Sequence, residues 1–480
     1  MSAAKLPYLF ISMLLGLIAF AAHGADNYTG PDRPDPGAAD YPSYPLGGEF
    51  PTFRPSAPSS TPGQGPPGFM EPTGVLTLQR ALALALMNSP ELLAYSWEER
   101  AAQARALQAG LLPNPELSVE FEEFAGTGEF SDGDATETTI QLTQVIELGG
   151  KRGKRKQAAS IERRLAEWDY EIKRLDLFAD TTRAFVDVLA AQERLALSGE
   201  LAGLAEKVLL TVSDRVRAGK VSPIEETRAT VSLSSGRIGL DRAGLELESA
   251  RARLAAAWGG AAPSFERVEG DFYTIAPIPS YDQLEKRISQ TPELARRALD
   301  IEQRTAMARL AKSGAVPDLS VGFGVRQFKE IDDTAYVAEM SVPVPLFDRN
   351  QAGVSEARSR RARSYQELKA EQARSRAGFS EAYHALSAAY IEATVLRDDV
   401  LPGAESVFNA VGEGYRAGKF GYLEMLDAQR TLFEAKARYV EALAEYHKAV
   451  AGVERMIGMK LDEFKEGGEL ISPEETSNDK

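Results

Sequence analysis

Three phrases of this chain recur at nearly one spacing, which restricts it to folds built from two copies of a single unit. Ser89-Pro-Glu-Leu92 returns as Thr291-Pro-Glu-Leu294, and Pro115-Glu-Leu-Ser-Val119 as Pro317-Asp-Leu-Ser-Val321, both 202 residues later. Arg217-Ala-Gly-Lys-Val-Ser-Pro223 returns after 199 residues as Arg416-Ala-Gly-Lys-Phe-Gly-Tyr422. Leu148 and Leu346 stand 198 apart, so the stretch before them is four residues shorter in the second copy.

Each copy changes its hydrophobic period in the same order. Helical pattern starts at Leu76, breaks at Ser89-Pro-Glu-Leu92 and continues to Gly110. After Pro113-Asn-Pro115 the period becomes two: Leu117, Val119 and Phe121 fall on one face, and Glu116, Ser118, Glu120 and Glu122 on the other. A Gly- and Asp-rich loop leads to a return strand with Ile140 and Leu142 against Thr139, Gln141 and Thr143. The second copy alternates Leu319, Val321, Phe323 and Val325 with Gly322 and Gly324, turns over Lys329 to Asp333, and returns through Tyr336, Ala338, Met340 and Val342. Alternation over about 10 residues fits a transmembrane barrel strand, and a soluble sandwich hairpin has the same pattern.

A basic cluster, Lys151, Arg152, Lys154, Arg155 and Lys156, opens a long helical stretch. Leu165, Trp168, Ile172 and Leu175, and then Leu197, Leu201, Leu204 and Val208, keep the three-and-four spacing of a coiled-coil seam. Some 65 helical residues at about 1.5 Å each give a rod on the order of 100 Å. Each Arg-Ala-Gly-Lys phrase interrupts such a rod with a glycine, so each is expected to be the tip of an antiparallel helical hairpin. Pro402 marks a kink or break in the second rod.

The predicted organisation is a signal peptide (1–24), a Pro- and Gly-rich tether (25–75), a first repeat (76–260, β-hairpin 116–148, helical hairpin 150–258), a linker (261–280), a second repeat (281–458, β-hairpin 318–346, helical hairpin 352–457) and an acidic tail (459–480). Lys5, the apolar run from Leu6 to Ala22 and the small residues before Ala25 have the order of a secretory signal. Beyond residue 25 no apolar run nears the ~20 residues of a spanning helix, so the mature chain is soluble or enters a membrane as strands. The tether is either a leader or a strap around a neighbouring subunit.

Composition argues against several chemistries. The formal charge of −15 and the lack of aromatic-basic interleaving speak against nucleic acid. With no cysteine there is no disulfide or thiolate metal site, and His384 and His447, the histidines beyond the signal, form no constellation with each other. Gly414, Gly418 and Lys419 are one residue short of a phosphate loop, and Phe420 stands where Ser or Thr is required. No enzyme, cofactor or resident metal is expected.

Four strands per chain cannot close a barrel, whereas three chains would supply twelve. With the duplication, the Pro-Asn-Pro-Glu-Leu-Ser strand start, Gln144-Val-Ile-Glu-Leu-Gly-Gly-Lys-Arg152, and the second tip from Tyr415 to Gln429, the chain resembles the TolC-type outer-membrane efflux family, most of all its heavy-metal (CzcC-type) branch. The resemblance covers roughly Leu76 to Gly458. It departs from many relatives in lacking an N-terminal cysteine for acylation.

The resemblance implies a mainly α protein with a small β part: a homotrimer with a twelve-stranded outer-membrane β-barrel, embedded in outer-membrane lipid, and a periplasmic α-helical tunnel. It implies a passive export duct working with a periplasmic adaptor (membrane fusion) protein and an inner-membrane pump, with heavy-metal cations as cargo. The tips, Arg217, Ala218, Gly219, Lys220, Val221 and Ser222, and Arg416, Ala417, Gly418, Lys419, Phe420 and Gly421, become adaptor contacts; as bare sequence they are plain turns. Glu424 and Asp427 match the family's acidic pair at a periplasmic gate, and Glu225 matches an acidic position on the other arm. An acidic helix face is otherwise simply solvated. The basic cluster and Arg349 would lie at the membrane interface, or merely start a solvated helix. The competing readings are a periplasmic coiled-coil adaptor or scaffold that never enters the membrane, and an outer-membrane duct for organic compounds or type I protein secretion.

Overall fold

The computed structural model describes residues 71–130 and 133–461; the signal segment, the tether up to residue 70 and the tail beyond Leu461 lie outside the described residues. In chain order the elements are β1 (Gly74–Thr77), α1 (Leu78–Asn88), α2 (Pro90–Gln108), β2 (Glu116–Glu122), β3 (Glu137–Ile146), α3 (Lys151–Arg217), α4 (Pro223–Ala256), β4 (Phe265–Glu269), α5 (Tyr281–Ile288), α6 (Pro292–Ser313), β5 (Leu319–Phe328), β6 (Asp333–Ser341), α7 (Gln351–Val395), a π-helical turn (Leu396–Val400), α8 (Leu401–Arg416) and α9 (Tyr422–Ile457). A 3-10 turn, Gly128–Phe130, sits in the loop after β2. These elements fall into two compact units, one around the four long strands and one around the helical hairpins.

In the first unit the two β-hairpins join into one antiparallel sheet of order β2-β3-β5-β6. Directly paired residues share a face, so the register sorts the side chains. Leu117, Leu142, Phe323 and Ala338 form one row, and Val119, Ile140, Val325 and Tyr336 the next. Most of that face is open, with Tyr336 92% and Phe323 67% exposed. The opposite face is polar. Arg326 donates from Nη1 to Glu137 at 2.9 Å and from Nε to Thr139 Oγ1 at 2.9 Å, and reaches Glu122 at 3.0 Å. Gly324 lies beneath Gln141, where a Cβ would come within 2.6 Å of the Ile140 carbonyl. This glycine lets β5 pass close to β3.

The basic cluster has specific partners beneath the sheet. Arg152 donates to the Gly110 carbonyl at 2.6 Å, and Arg155 to those of Ala109 and Leu111 at 3.0 and 3.3 Å, which supplies partners to the carbonyls of the turn that follows α2. Arg155 also holds Glu147 at 2.6 Å, and Lys151 pairs with Asp318 at 2.8 Å. The sequence alone suggested an interface belt or a solvated helix start, and the structure adds this clamp.

In the second unit the core packs Phe185, Val188 and Leu189 of α3 against Leu254 and Trp258 at the end of α4, Phe265 of β4, and Leu443 of α9. Strand β1 pairs with β4 in parallel, and Gln192 of α3 brackets Val268 with bonds of 2.8 and 3.0 Å. Sequence reading placed no strand among residues 261–280; five residues are too few to show a period. The same segment is tied to α9, where Tyr446 bonds both backbone groups of Ala276 and His447 Nε2 lies 2.9 Å from the Phe272 carbonyl. Ion pairs tie α3 to α9, including Asp176 with Arg455 at 2.6 Å and Asp187 with Lys448 at 3.4 Å.

The expected irregularity at Pro402 takes the form of a π turn at Leu396–Val400, after which α8 restarts with the proline in its first turn. There the missing N–H costs nothing, and one extra residue lets the rod continue.

Candidate functional site

The two Arg-Ala-Gly-Lys phrases form the same helix terminus. At the first, Gly219 has φ +68° and donates to Val216 O at 2.9 Å, while Lys220 donates to Arg215 O at 2.9 Å. At the second, Gly418 has φ +75° and donates to Tyr415 O at 3.1 Å, while Lys419 donates to Gly414 O at 2.8 Å. This is the Schellman pair of bonds, and its left-handed residue is the reason for the glycine. Ser222 then caps α4, accepting from Ile224 N at 3.4 Å, with Pro223 in the first turn. Gly421 precedes α9 without a side-chain cap. Arg217, Lys220, Arg416, Lys419, Phe420 and Gly421 are all exposed, as an accessible contact surface requires.

Behind the loops the two hairpin ends share one core: Val212 of α3, Ala229 of α4, Tyr415 of α8, and Tyr422 and Met425 of α9. Arg215 lies 4.6 Å over the Tyr415 ring and donates to its carbonyl at 3.3 Å. Burial raises the Tyr422 phenol above its ordinary value, helped by the nearby Tyr415 and Glu225. Sequence reading passed over Arg215, Tyr415 and Tyr422 as site residues. Their signal was the aromatic pair flanking the second phrase, where the first has Val216 and Pro223.

The three predicted gate carboxylates have unequal surroundings. Glu424 and Asp427 are exposed on α9, and Asp427 pairs with Arg430 at 3.2 Å with both side chains about 70% exposed. Arg430 also approaches Glu434 at 3.6 Å. Ion pairs so exposed contribute little to stability, so the charges remain available to solvent and ions. Glu225 is half-buried, with Oε2 shut from solvent and its charge close enough to act on the Tyr422 phenol. The counterpart of Asp427 on the first arm is Arg228, so the acidic pair exists only on α9. Among the described residues there is no cluster of His, Cys, Asp and Glu fit to hold a metal ion.

A sheet open and apolar on one face and polar on the other, carried with paired helical rods that end in exposed turns, defines the class of outer-membrane efflux channels. The chain belongs to the outer membrane efflux protein family, whose profile matches residues 81–260 and 284–459. It is 35% identical over 388 residues to the cobalt-zinc-cadmium resistance protein CzcC of Cupriavidus metallidurans, covering 81% of this chain and 91% of that protein. It is 26% identical to the nickel-cobalt-cadmium resistance protein NccC of Alcaligenes xylosoxydans xylosoxydans, over 58% of this chain and 62% of that one. Among solved structures the fold matches CusC, with a TM-score of 0.68 at 15% identity over 80% of this chain and 92% of that one, and the Campylobacter jejuni CmeC outer membrane channel, with 0.67 at 16% over 79% and 85%. The protein is thus an efflux channel of the outer membrane that reaches into the periplasm, as the resemblance implied. The reading as a scaffold that never enters the membrane is set aside.

Proposed function

We propose that three copies of this chain close one twelve-stranded barrel and one periplasmic tunnel, forming the passive outer duct through which heavy-metal cations leave the cell. The observation that carries the assembly is the open four-stranded sheet. Strands β2 and β6 end it with unpaired edges, and an apolar face carrying Tyr336, Phe323 and Leu117 needs lipid against it. Joining β6 of one copy to β2 of the next removes every edge.

The cargo assignment rests on the 35% identity with a cobalt-zinc-cadmium resistance protein over most of both chains; the pyoverdine export proteins OpmQ match at only 22–23%. The tips from Arg217 to Ser222 and from Arg416 to Gly421 are the docking points for an adaptor that links the duct to an inner-membrane pump. Glu424 and Asp427, repeated around a threefold axis, form a cation-attracting constriction. Glu225, half-buried with Oε2 shut from solvent, adds less to that constriction than the exposed pair.

The assembly is tested in isolated outer membranes. The protein should fractionate there and run as a heat-modifiable species of three chains, and a single-chain species in unheated samples would overturn the reading.

A further inference from the structure

The polar face of the four-stranded sheet carries a side-chain bridge that crosses a whole strand. Gln141 stands on β3 and Glu339 on β6, with β5 between them, yet Gln141 Nε2 donates to Glu339 Oε2 at 2.6 Å. Neighbouring strands lie about 4.8 Å apart, so the two backbones are roughly 10 Å from each other and the side chains meet above β5. Glycine in the sequence makes this possible. Gly322 of β5 pairs with Thr143 on one side and Glu339 on the other, and a Cβ there would strike the Gln141 amide. That amide also lies 3.4 Å from Thr143 Oγ1, a second acceptor on the strand from which it starts.

The charges on this face are unequally placed. Arg326 engages Glu137 and Glu122, which neutralises part of one end. At the other end, where β2 begins and β6 finishes, Glu116, Thr143, Gly322 and Glu339 form one row across the sheet. Glu116 and Glu339 are both exposed, and neither has a cationic partner among the described residues. An exposed glutamate left to itself turns freely in solvent, and nothing holds Glu116 otherwise. Glu339 differs, because a short charge-assisted bond keeps its carboxylate over the sheet. Solubility requires no such holder, nor a strand stripped to glycine beneath it.

We infer that Glu339 is a cation-selecting residue of the barrel wall, and that Gln141 is the positioning residue that keeps its carboxylate over the sheet and in the path of the cargo. The inference rests on the three-chain barrel and the cation cargo proposed above, and adds a selecting level in the strands to the acidic pair near the tips. Three copies repeat this carboxylate around one axis, with Glu116 on the same row. In a pore walled by protein and lipid, fixed charges of one sign concentrate the opposite ion and repel their own. Held from one side and open to solvent on the other, Glu339 attracts a passing cation without forming a closed ligand set around it.

The test uses the full chain in planar bilayers, where the reversal potential under a potassium chloride gradient gives the preference for cations over anions. The chain count of each detergent-extracted variant is measured in parallel by light scattering. Glu339→Gln keeps the size and removes the charge, so it should lower the preference several-fold while current and chain count stay those of the parent. Gln141→Leu keeps every carboxylate and removes only the donor, so it should cause a smaller loss in the same direction. Glu339→Asp, one methylene shorter and out of reach of the amide, should resemble it. Adding Gln141→Leu to Glu339→Gln should change nothing further, since the side chain it positions is no longer charged. A merely structural role for Gln141 would alter chain count or current and leave the preference alone.

A cation-preferring parent whose preference survives in Glu339→Gln would overturn the inference while leaving barrel and cargo standing. A loss in Glu339→Gln with none in Gln141→Leu would overturn the positioning role. A parent of three chains without any preference for cations would overturn both the inference and the cargo reading, and single chains in the parent would overturn the assembly with it.

Discussion

The guanidinium of Arg215 lies 4.6 Å over the ring of Tyr415, and its Nη2 donates to the Tyr415 carbonyl at 3.3 Å. These residues are 200 apart in sequence, and each sits in the last turn before a tip glycine. The contact therefore makes one platform of the two hairpin ends. Removing the ring in Tyr415→Ala should loosen both ends, with a cost near 3 kcal/mol for the lost buried aromatic. Arg215→Ala should cost less, about 1 kcal/mol, because one cation–π contact and one hydrogen bond are lost. Hydrogen exchange across residues 208–219 and 408–420 measures this; equal protection in Tyr415→Ala and the parent would refute the shared core.

Gly418 holds φ +75°, where a side chain with a branched Cβ is strained by at least 1–2 kcal/mol on the general scale for left-handed residues, about the worth of its two capping bonds. Gly418→Val should leave the amount of protein in the outer membrane unchanged and abolish export, since the altered loop can no longer receive the adaptor. Normal export by this variant would remove the tip from the docking surface.

Glu424→Gln combined with Asp427→Asn removes the exposed acidic pair while keeping side-chain size. In planar bilayers the preference for cations over anions should fall several-fold. Glu225→Gln, altered at a half-buried carboxylate, should keep the preference of the parent. If the double variant conducts like the parent, the constriction lies elsewhere.

His447 links a pH dependence to the segment between the repeats. Burial lowers its pKa below the ordinary 6.5, and its ring stacks on Phe272 at 5.8 Å while Nε2 meets the Phe272 carbonyl. A folded pKa below the unfolded value means that the unfolded chain binds the proton more readily, so this contribution is fully present above pH 6.5 and is lost as the pH falls from there towards the folded pKa. Thermal unfolding from pH 7.5 to 5.5 should show the loss, and His447→Gln should flatten it. An identical slope in the variant would assign the dependence to other groups.

The duplication, both β-hairpins and both helical tips were legible because period and punctuation reveal them: alternation in Leu117, Val119 and Phe121, and glycine in each Arg-Ala-Gly-Lys phrase. The parallel pair of β1 and β4 was not, since its partners lie about 190 residues apart and neither strand is long enough to show a period. The π turn was anticipated only as an irregularity at Pro402, because a proline says that a helix must adjust and not how. At the site, the acidic residues could be found by spacing, but the separation of Glu225 from Glu424 and Asp427 depends on packing around Tyr415 and Tyr422. Charge alone could not distinguish a half-buried carboxylate from two exposed ones.

The export of metal cations is tested most directly by accumulation in cells lacking this chain, with the parent protein and the Glu424→Gln/Asp427→Asn variant restored in turn. Loss of the chain should raise retained cobalt, zinc and cadmium and lower the concentrations that permit growth. The parent should reverse both effects, and the variant only in part. Metal retention and tolerance unchanged by removal of the chain would contradict the assignment of its cargo.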